Sequence, residues 1–395
     1  MKRTIKIIMG IAGILLLVFA FSIAGLFVSG HGYVISAFQK TYLKGYTTAY
    51  IDDYIDFNNA TIWAGIPQPW ALHEKYNKLQ LTDSLRKGLE DSGTIGFAVV
   101  KDGKLLHEEY WNNYSNESLT NSFSMAKGIT TMLLGKAIEQ GYIMGLNQPV
   151  IDFIPEFIDD PLGYWVYVGD LSSMRSGFDW TEDYYLPLNP TTEAYYGKDV
   201  EKQLLKRHFS DYPGEHFRYL SANTQLLAIV LQRATGKNLS QYLSEEFWQP
   251  MGMESDALWS LSGGIEKSFC CIYSNVRDYA KLGQLLLQKG KWNDVQLLDS
   301  AFVETMITPC YDAFYEDEPA KYGHSIWIDE DYDTPFYGML GHLGQRILVV
   351  PNENLVIVRL GKNRDTNIPS KGHLDADTYF LVDEVIKITA GLVLE

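Results

Sequence analysis

The chain has 395 residues, 46% of them hydrophobic and 21% charged, a globular composition that excludes a disordered chain, a collagen-like fibre and a disulfide-dense scaffold. Lys and Arg number 33 against 49 Asp and Glu, a formal net charge of −16. Such a surface repels a polyanion, so nucleic-acid binding is excluded as the main function.

Residues 1–6 form a basic stub with Lys2, Arg3 and Lys6, and residues 7–28 carry no charge. As a helix that run would be roughly 33 Å long, enough for a hydrocarbon core of about 30 Å. The basic end predicts a cytoplasmic N-terminus, a single membrane pass and a main domain on the periplasmic or extracytoplasmic side. A cleaved signal peptide is the competing reading. Its apolar region is usually about 7–15 residues and ends at a small-x-small site, and no Ala-x-Ala follows here.

Residues 31–85 are rich in Tyr, Asp and Asn and read as an extension packed on a main domain over 86–395. Residues 82–91 have the pattern of a short helix. Residues 96–101 and 104–110 flank Asp102-Gly103, a strong hairpin signal. A second hairpin is written at 346–350 and 355–360, around Pro351-Asn352-Glu353-Asn354. A last helix is predicted at 377–388, ending before Gly391. Strands near both ends enclose residues 122–300, which read as mostly helix and loop. The expectation is an antiparallel sheet built from both ends of the chain, with a helical region inserted between them.

Cys270, Cys271 and Cys310 make no Cys-x-x-Cys, and they read as small buried apolar side chains. His73-Glu74 and His107-Glu108 lack the second His of a zinc-protease motif, so no metal site is expected.

Ser124-Met125-Ala126-Lys127 precedes a helical pattern of Ile129, Met132, Leu133 and Ala137 that stops at Gly141. Ser124 falls at the helix start, with Lys127 one turn on and on the same face. A serine hydroxyl needs an adjacent base to act as a nucleophile, and a lysine in a partly dry site can serve. The helix N-terminus adds backbone N–H groups for a developing oxyanion. The bland alternative is an N-cap serine with a solvated lysine. Ser84-Leu85-Arg86-Lys87 repeats the pattern in a polar helix and reads as surface.

His216-Phe217-Arg218-Tyr219-Leu220-Ser221 leads into a helix with Leu226, Leu227, Val230 and Leu231 on one face and Gly236 as its cap. A tyrosine there can point into a cleft and act as a phenolate base once cations lower its pKa. Tyr110, Tyr114 and Tyr273 stand in literal Tyr-x-Asn strings and rank below Tyr219. Gly341-His342-Leu343-Gly344-Gln345 opens the second hairpin, where the Gln345 N–H can complete an oxyanion hole with that of Ser124. Its alternative is a plain turn before a core strand.

Together the three motifs resemble the serine β-lactamase and DD-peptidase superfamily. Within it they are most similar to the class C β-lactamase-related group of family VIII esterases and 6-aminohexanoate-dimer (nylon-oligomer) hydrolases. That family orders Ser-x-x-Lys, Tyr-x-Asn or Tyr-x-Ser, and Lys-Thr-Gly or His-x-Gly, and this chain has Ser124…Lys127, Tyr219…Ser221 and His342…Gly344. Leu171 to Gly177, Trp180 to Tyr184, and Cys270-Cys271 with Arg277-Asp278-Tyr279-Ala280 add to a likeness over about residues 90–390.

The resemblance implies an α/β fold of the β-lactamase and transpeptidase kind: an antiparallel sheet flanked by helices, with a mainly helical subdomain. It implies an acyl-enzyme on Ser124, proton transfer by Lys127 and Tyr219, and no metal or organic cofactor. Ser221, His342, Gly344 and Tyr184 become substrate-binding candidates, for a small-molecule or short-peptide amide or ester. Two positions depart from the common pattern: Ser221 stands where many members have Asn, and His342 where β-lactamases have Lys. A lysine grips a substrate carboxylate, whereas a histidine does so only when protonated. The departure favours neutral substrates over β-lactams. A DD-carboxypeptidase acting on peptidoglycan and an idle module that binds cell-wall peptides are the alternatives.

Overall fold

The computed structural model describes residues 2–310, 314–315, 318–364 and 373–390. Its main sheet has six antiparallel strands in the order Trp327–Asp329, Phe336–Gly341, Gln345–Val350, Leu355–Gly361, Thr94–Lys101 and Lys104–Tyr110. Both predicted hairpins are present. Lys101 pairs with Lys104 across Asp102 and Gly103, whose φ of 52° and 73° suit the mirror-image turn that matches strand twist. Val350 pairs with Leu355 across a turn closed by Asn354 at φ 46°.

Side chains alternate along Thr94–Lys101. From residue 97 on, Phe97 and Val99 join one core while Ala98 and Val100 join the other, and Ile95, beside the irregular pairing of Leu360 and Gly361, falls in the same core as Ala98, so the strand is buried on both faces. Helix Val276–Leu287 covers the first face and helices Asp83–Asp91 and Ala376–Ala390 the second. A Cβ on Gly283 would meet the side chains of Val356 and Ile347 at 2.6 and 2.8 Å, so glycine lets its helix lie close on the sheet. Asp83–Asp91 starts on Thr82, whose side chain accepts from the Leu85 N–H. The Gly391 expected to end the last helix lies outside the described residues.

Residues 122–300 are mostly helix and loop, as the sequence predicts, and short strands from them join two from earlier in the chain. A second, five-stranded sheet runs Asn59–Ile62, Ala257–Ser262, Ile272–Ser274 and Thr120–Asn121, with Ile265–Glu266 beside Ala257–Ser262. The extension therefore supplies an edge strand instead of merely leaning on the domain. Helices Met125–Glu139 and Ser221–Thr235 pack together beside this sheet, and both motif serines sit at their first turns. At the other end, helix Lys2–Val28 contains Thr4–Val28, long and apolar enough to cross a membrane, with mean hydropathy 2.7 and none of it buried.

Candidate active site

Three elements converge on Lys127. Ser124 caps helix Met125–Glu139, and Lys127 lies one turn on, 1% exposed. Its Nζ donates to Ser124 Oγ at 3.0 Å, to the Phe269 carbonyl at 3.0 Å and to Ser221 Oγ at 3.4 Å. Burial disfavours the ammonium and pushes its pKa down to about 8, against a smaller upward pull from Glu182. A poised amine thus faces a hydroxyl, the pairing that activates a serine.

The nucleophile turn is held in an unusual backbone. Phe123 has φ 44°, a left-handed conformation costly for a non-glycine residue. Asn121 fixes it, because its Oδ1 accepts the Phe123 N–H at 2.8 Å and the Cys271 N–H at 3.1 Å. The Asn121 amide in turn donates to Asp53, Tyr195 and Tyr273.

Tyr219 stands where the sequence put it, hydrogen-bonded to Ser124 and with Lys127 Nζ 4.9 Å from its ring centre. Its protonation corrects the phenolate expectation. Burial raises the phenol well above its ordinary pKa, so Tyr219 is a neutral phenol. The competing tyrosines have other partners: Tyr110 donates to Glu108, Tyr114 to Asp52 and Tyr273 to Asp53. Ser84 is exposed, and Lys87 of that copy pairs with Asp91 at the surface.

A cavity of about 50 Å³ adjoins the nucleophile, lined by Ser124, Ser221, Tyr184, Tyr195, Cys270 and His342 among others. That space holds a few waters or a small acyl group. His342 packs edge-on against Phe123, with ring centroids 5.4 Å apart, and its Nε2 lies 3.4 Å from Thr48 Oγ1. Burial, aided by the positive field of Arg364, pushes its pKa down to about 4, so it is neutral at pH 7. Tyr184 lies over His342 with centroids 5.2 Å apart.

Two further expectations need correction. The Gln345 N–H donates to the His342 carbonyl, closing a tight turn through Leu343 at φ 58°. That amide is committed within the turn, so it is not free as the second donor expected beside the Ser124 N–H. Gly344, at φ 82°, packs on the buried Arg359 and gives it a carbonyl acceptor at 2.9 Å, so the structure sets it in the turn and not on the cavity wall. Cys270 and Cys271 form a disulfide. Neighbouring side chains on an extended strand point to opposite faces, and Cys271 at φ 71° departs from that geometry and brings the two sulfurs together.

Sequence reasoning missed four contributors: the Phe269 carbonyl, Asn121, Thr48 and Glu182. A backbone carbonyl has no residue signature, Thr48 and Glu182 act across long sequence separations, and Asn121 acts both on Phe123 two residues on and on the distant Cys271. Among the described residues no group of three or more His, Cys, Asp or Glu is placed to hold a metal ion.

The family model described as Beta-lactamase matches residues 82–377, three quarters of the chain, and the protein belongs to that family. The 6-aminohexanoate-dimer hydrolase of Paenarthrobacter ureafaciens is 24% identical over 298 residues, covering 70% of this chain and 74% of the relative. A Bacillus anthracis structure named "Putative 6-aminohexanoate-dimer hydrolase" superposes with TM-score 0.73 at 23% identity, over 90% of this chain and 94% of that one. A family VIII carboxylesterase structure gives TM-score 0.63 at 17% identity, over 81% and 99%. The fold is therefore the mixed α/β fold of serine β-lactamases.

The depressed Lys127 pKa sets a pH dependence. Its ordinary value of 10.5 falls to about 8, so the neutral amine is the minor form below pH 8 and the major form above it. Labelling of Ser124 by a fluorophosphonate is expected to accelerate about tenfold per pH unit up to about pH 8 and then level. A rate that stays flat from pH 6 to 9 would show that another group is the base.

Proposed function

We propose that this protein is a membrane-anchored serine hydrolase that cleaves an amide or ester through an acyl-enzyme on Ser124. The observation that carries the reading is the buried Lys127 Nζ, 3.0 Å from Ser124 Oγ at a helix start. Neutral Lys127 takes the Ser124 proton as Oγ attacks the carbonyl carbon. The Ser124 N–H, at the positive end of its helix, stabilises the oxyanion. Tyr219, a phenol, gives its proton to the leaving nitrogen or oxygen and is reprotonated from the Lys127 ammonium. Water then attacks the acyl carbonyl and releases Ser124.

Substrate preference follows from His342. A β-lactam presents a carboxylate that wants a fixed cation, and a neutral imidazole does not supply one. The cavity is lined by Phe123, Tyr184, Tyr195, Tyr196 and Phe269 together with hydroxyl side chains and offers no cation, which suits an uncharged acyl group, and linear amides join esters as candidates because relatives carry the name 6-aminohexanoate-dimer hydrolase. Ser221 and Tyr184 line the same space and serve as substrate contacts. The apolar helix is the anchor, with Lys2, Arg3 and Lys6 cytoplasmic and the cleft on the extracytoplasmic side.

The test is a panel of p-nitrophenyl esters, linear amides and nitrocefin. Ser124→Ala is expected to abolish turnover by several orders of magnitude while Ser84→Ala keeps it. A dead Ser84→Ala with an active Ser124→Ala would reverse the motif assignment.

In the same panel, ester or amide turnover should exceed nitrocefin turnover by roughly 10²-fold or more, the cost of an unmet carboxylate charge. His342→Lys should narrow that gap, and an unchanged ratio would place substrate choice elsewhere in the cleft.

Full-length protein is expected in the membrane fraction, and the chain lacking residues 1–30 in the soluble fraction with activity retained. Recovery of soluble protein beginning near His31 would mean that the segment is a cleaved signal.

A further inference from the structure

Glu182 belongs to none of the three motifs, yet its carboxylate faces the proton-transfer groups. One oxygen accepts the Ser221 hydroxyl at 2.6 Å. The other accepts the Ser221 backbone N–H at 2.8 Å and the Trp180 indole N–H at 3.1 Å. Ser221 is the first residue of helix Ser221–Thr235, whose positive end favours an anion there.

Counting hydrogens fixes the direction of each bond. A carboxylate only accepts, so the single Ser221 hydroxyl proton goes to Glu182. Ser221 Oγ can then only accept from Lys127 Nζ at 3.4 Å, and the Phe269 carbonyl at 3.0 Å can only accept as well. A neutral amine has two hydrogens and one lone pair. Both hydrogens are taken, and the remaining neighbour is Ser124 Oγ at 3.0 Å.

We propose that Glu182 is a positioning residue: by committing the Ser221 proton, it turns the lone pair of the Lys127 amine onto the Ser124 hydroxyl. The inference rests on Ser124 being the nucleophile and Lys127 its base. Without the carboxylate, the Ser221 proton can swing toward Lys127, draw the lone pair to itself and leave Ser124 facing an N–H. The ionisable groups around the amine are Glu182 and Tyr219. Around Glu182 they are Lys127, Tyr219 and Tyr184, and Arg364 acts on Tyr184 from beyond.

The experiment is the pH profile of the p-nitrophenyl ester burst, from pH 5 to 10, with the full chain. The variants are Glu182→Gln, Ser221→Ala and the double variant. The proposal expects acylation to fall on the order of 10- to 100-fold in Glu182→Gln, with KM little changed. Its acid limb should move to lower pH, because the charge that raises the Lys127 pKa is gone. The double variant should be no slower than Ser221→Ala alone, since both act through one hydrogen bond. Wild-type acylation in Glu182→Gln, or losses that multiply in the double variant, overturns it.

Should Glu182→Gln fail to fold, Glu182→Asp keeps the charge and shortens the reach. Slow acylation with an unmoved acid limb then supports the proposal, and unchanged acylation sinks it. Ser124→Ala separates the two levels. If that variant turns over ester, the nucleophile assignment itself falls. If it is dead while Glu182→Gln is normal, only the role of Glu182 falls.

Discussion

The cleft depends on burying one amine among neutral partners. Lys127 Nζ bonds to two hydroxyls and a backbone carbonyl, and none of the three is an anion. A carboxylate at that distance would hold the lysine charged and useless as a base near neutral pH. Water in its place would do much the same. The surrounding architecture keeps both away: helix Ser221–Thr235 supplies one hydroxyl, the segment before the Cys270–Cys271 disulfide supplies the carbonyl, and Tyr219 covers the amine with its ring. Glu182 stands one hydroxyl further out, close enough to shape the field and too far to pair directly.

Two strained backbones flank this arrangement. Phe123 and Cys271 both have positive φ, and conformations of that kind cost on the order of 1–3 kcal/mol each. They persist because one side-chain carbonyl, that of Asn121, accepts from both N–H groups. Asn121 is itself fixed by Asp53, which also accepts from Tyr195 and Tyr273. Burial lifts Asp53 to about 6, and these hydrogen bonds with the nearby Lys267 restrain the rise. Asp53 belongs to the extension, so the nucleophile turn is braced by residues well outside the three motifs.

Much of this was legible in the amino-acid pattern, and the limits have physical reasons. The hairpins declared themselves through Asp102-Gly103 and Asn354, because few residues accept the backbone angles those turns need. The helices after Ser124 and Tyr219 showed in their apolar spacing and, for the second, in Gly236 at φ 69°. The second sheet did not show. Its strands are two to six residues long and come from three distant parts of the chain, so no alternating run betrays them. Tyr219 was read in the right location with the wrong protonation, since residue type says nothing about desolvation. Gln345 and Gly344 were read as the opening of the second hairpin, with a plain turn before a core strand as the alternative, and the turn they form is backed by Arg359, which donates to the Leu343 and Gly344 carbonyls. Glu182 carried no signal of its own, because its partner lies 39 residues away.

The connection after the apolar helix is short, which sets how far the cleft can stand from a membrane. Only residues 29–32 separate Lys2–Val28 from helix Tyr33–Lys40, which packs on Pro190–Tyr196 of the catalytic domain. Four residues span about 14 Å at most. With the helix embedded, the domain has no stalk and rides against the lipid headgroups, sweeping a layer little thicker than itself. Its encounters then scale with the number of copies per area of membrane and with what diffuses into that layer. A small solute that enters that layer reaches the cleft freely, whereas a chain held further out is beyond its range.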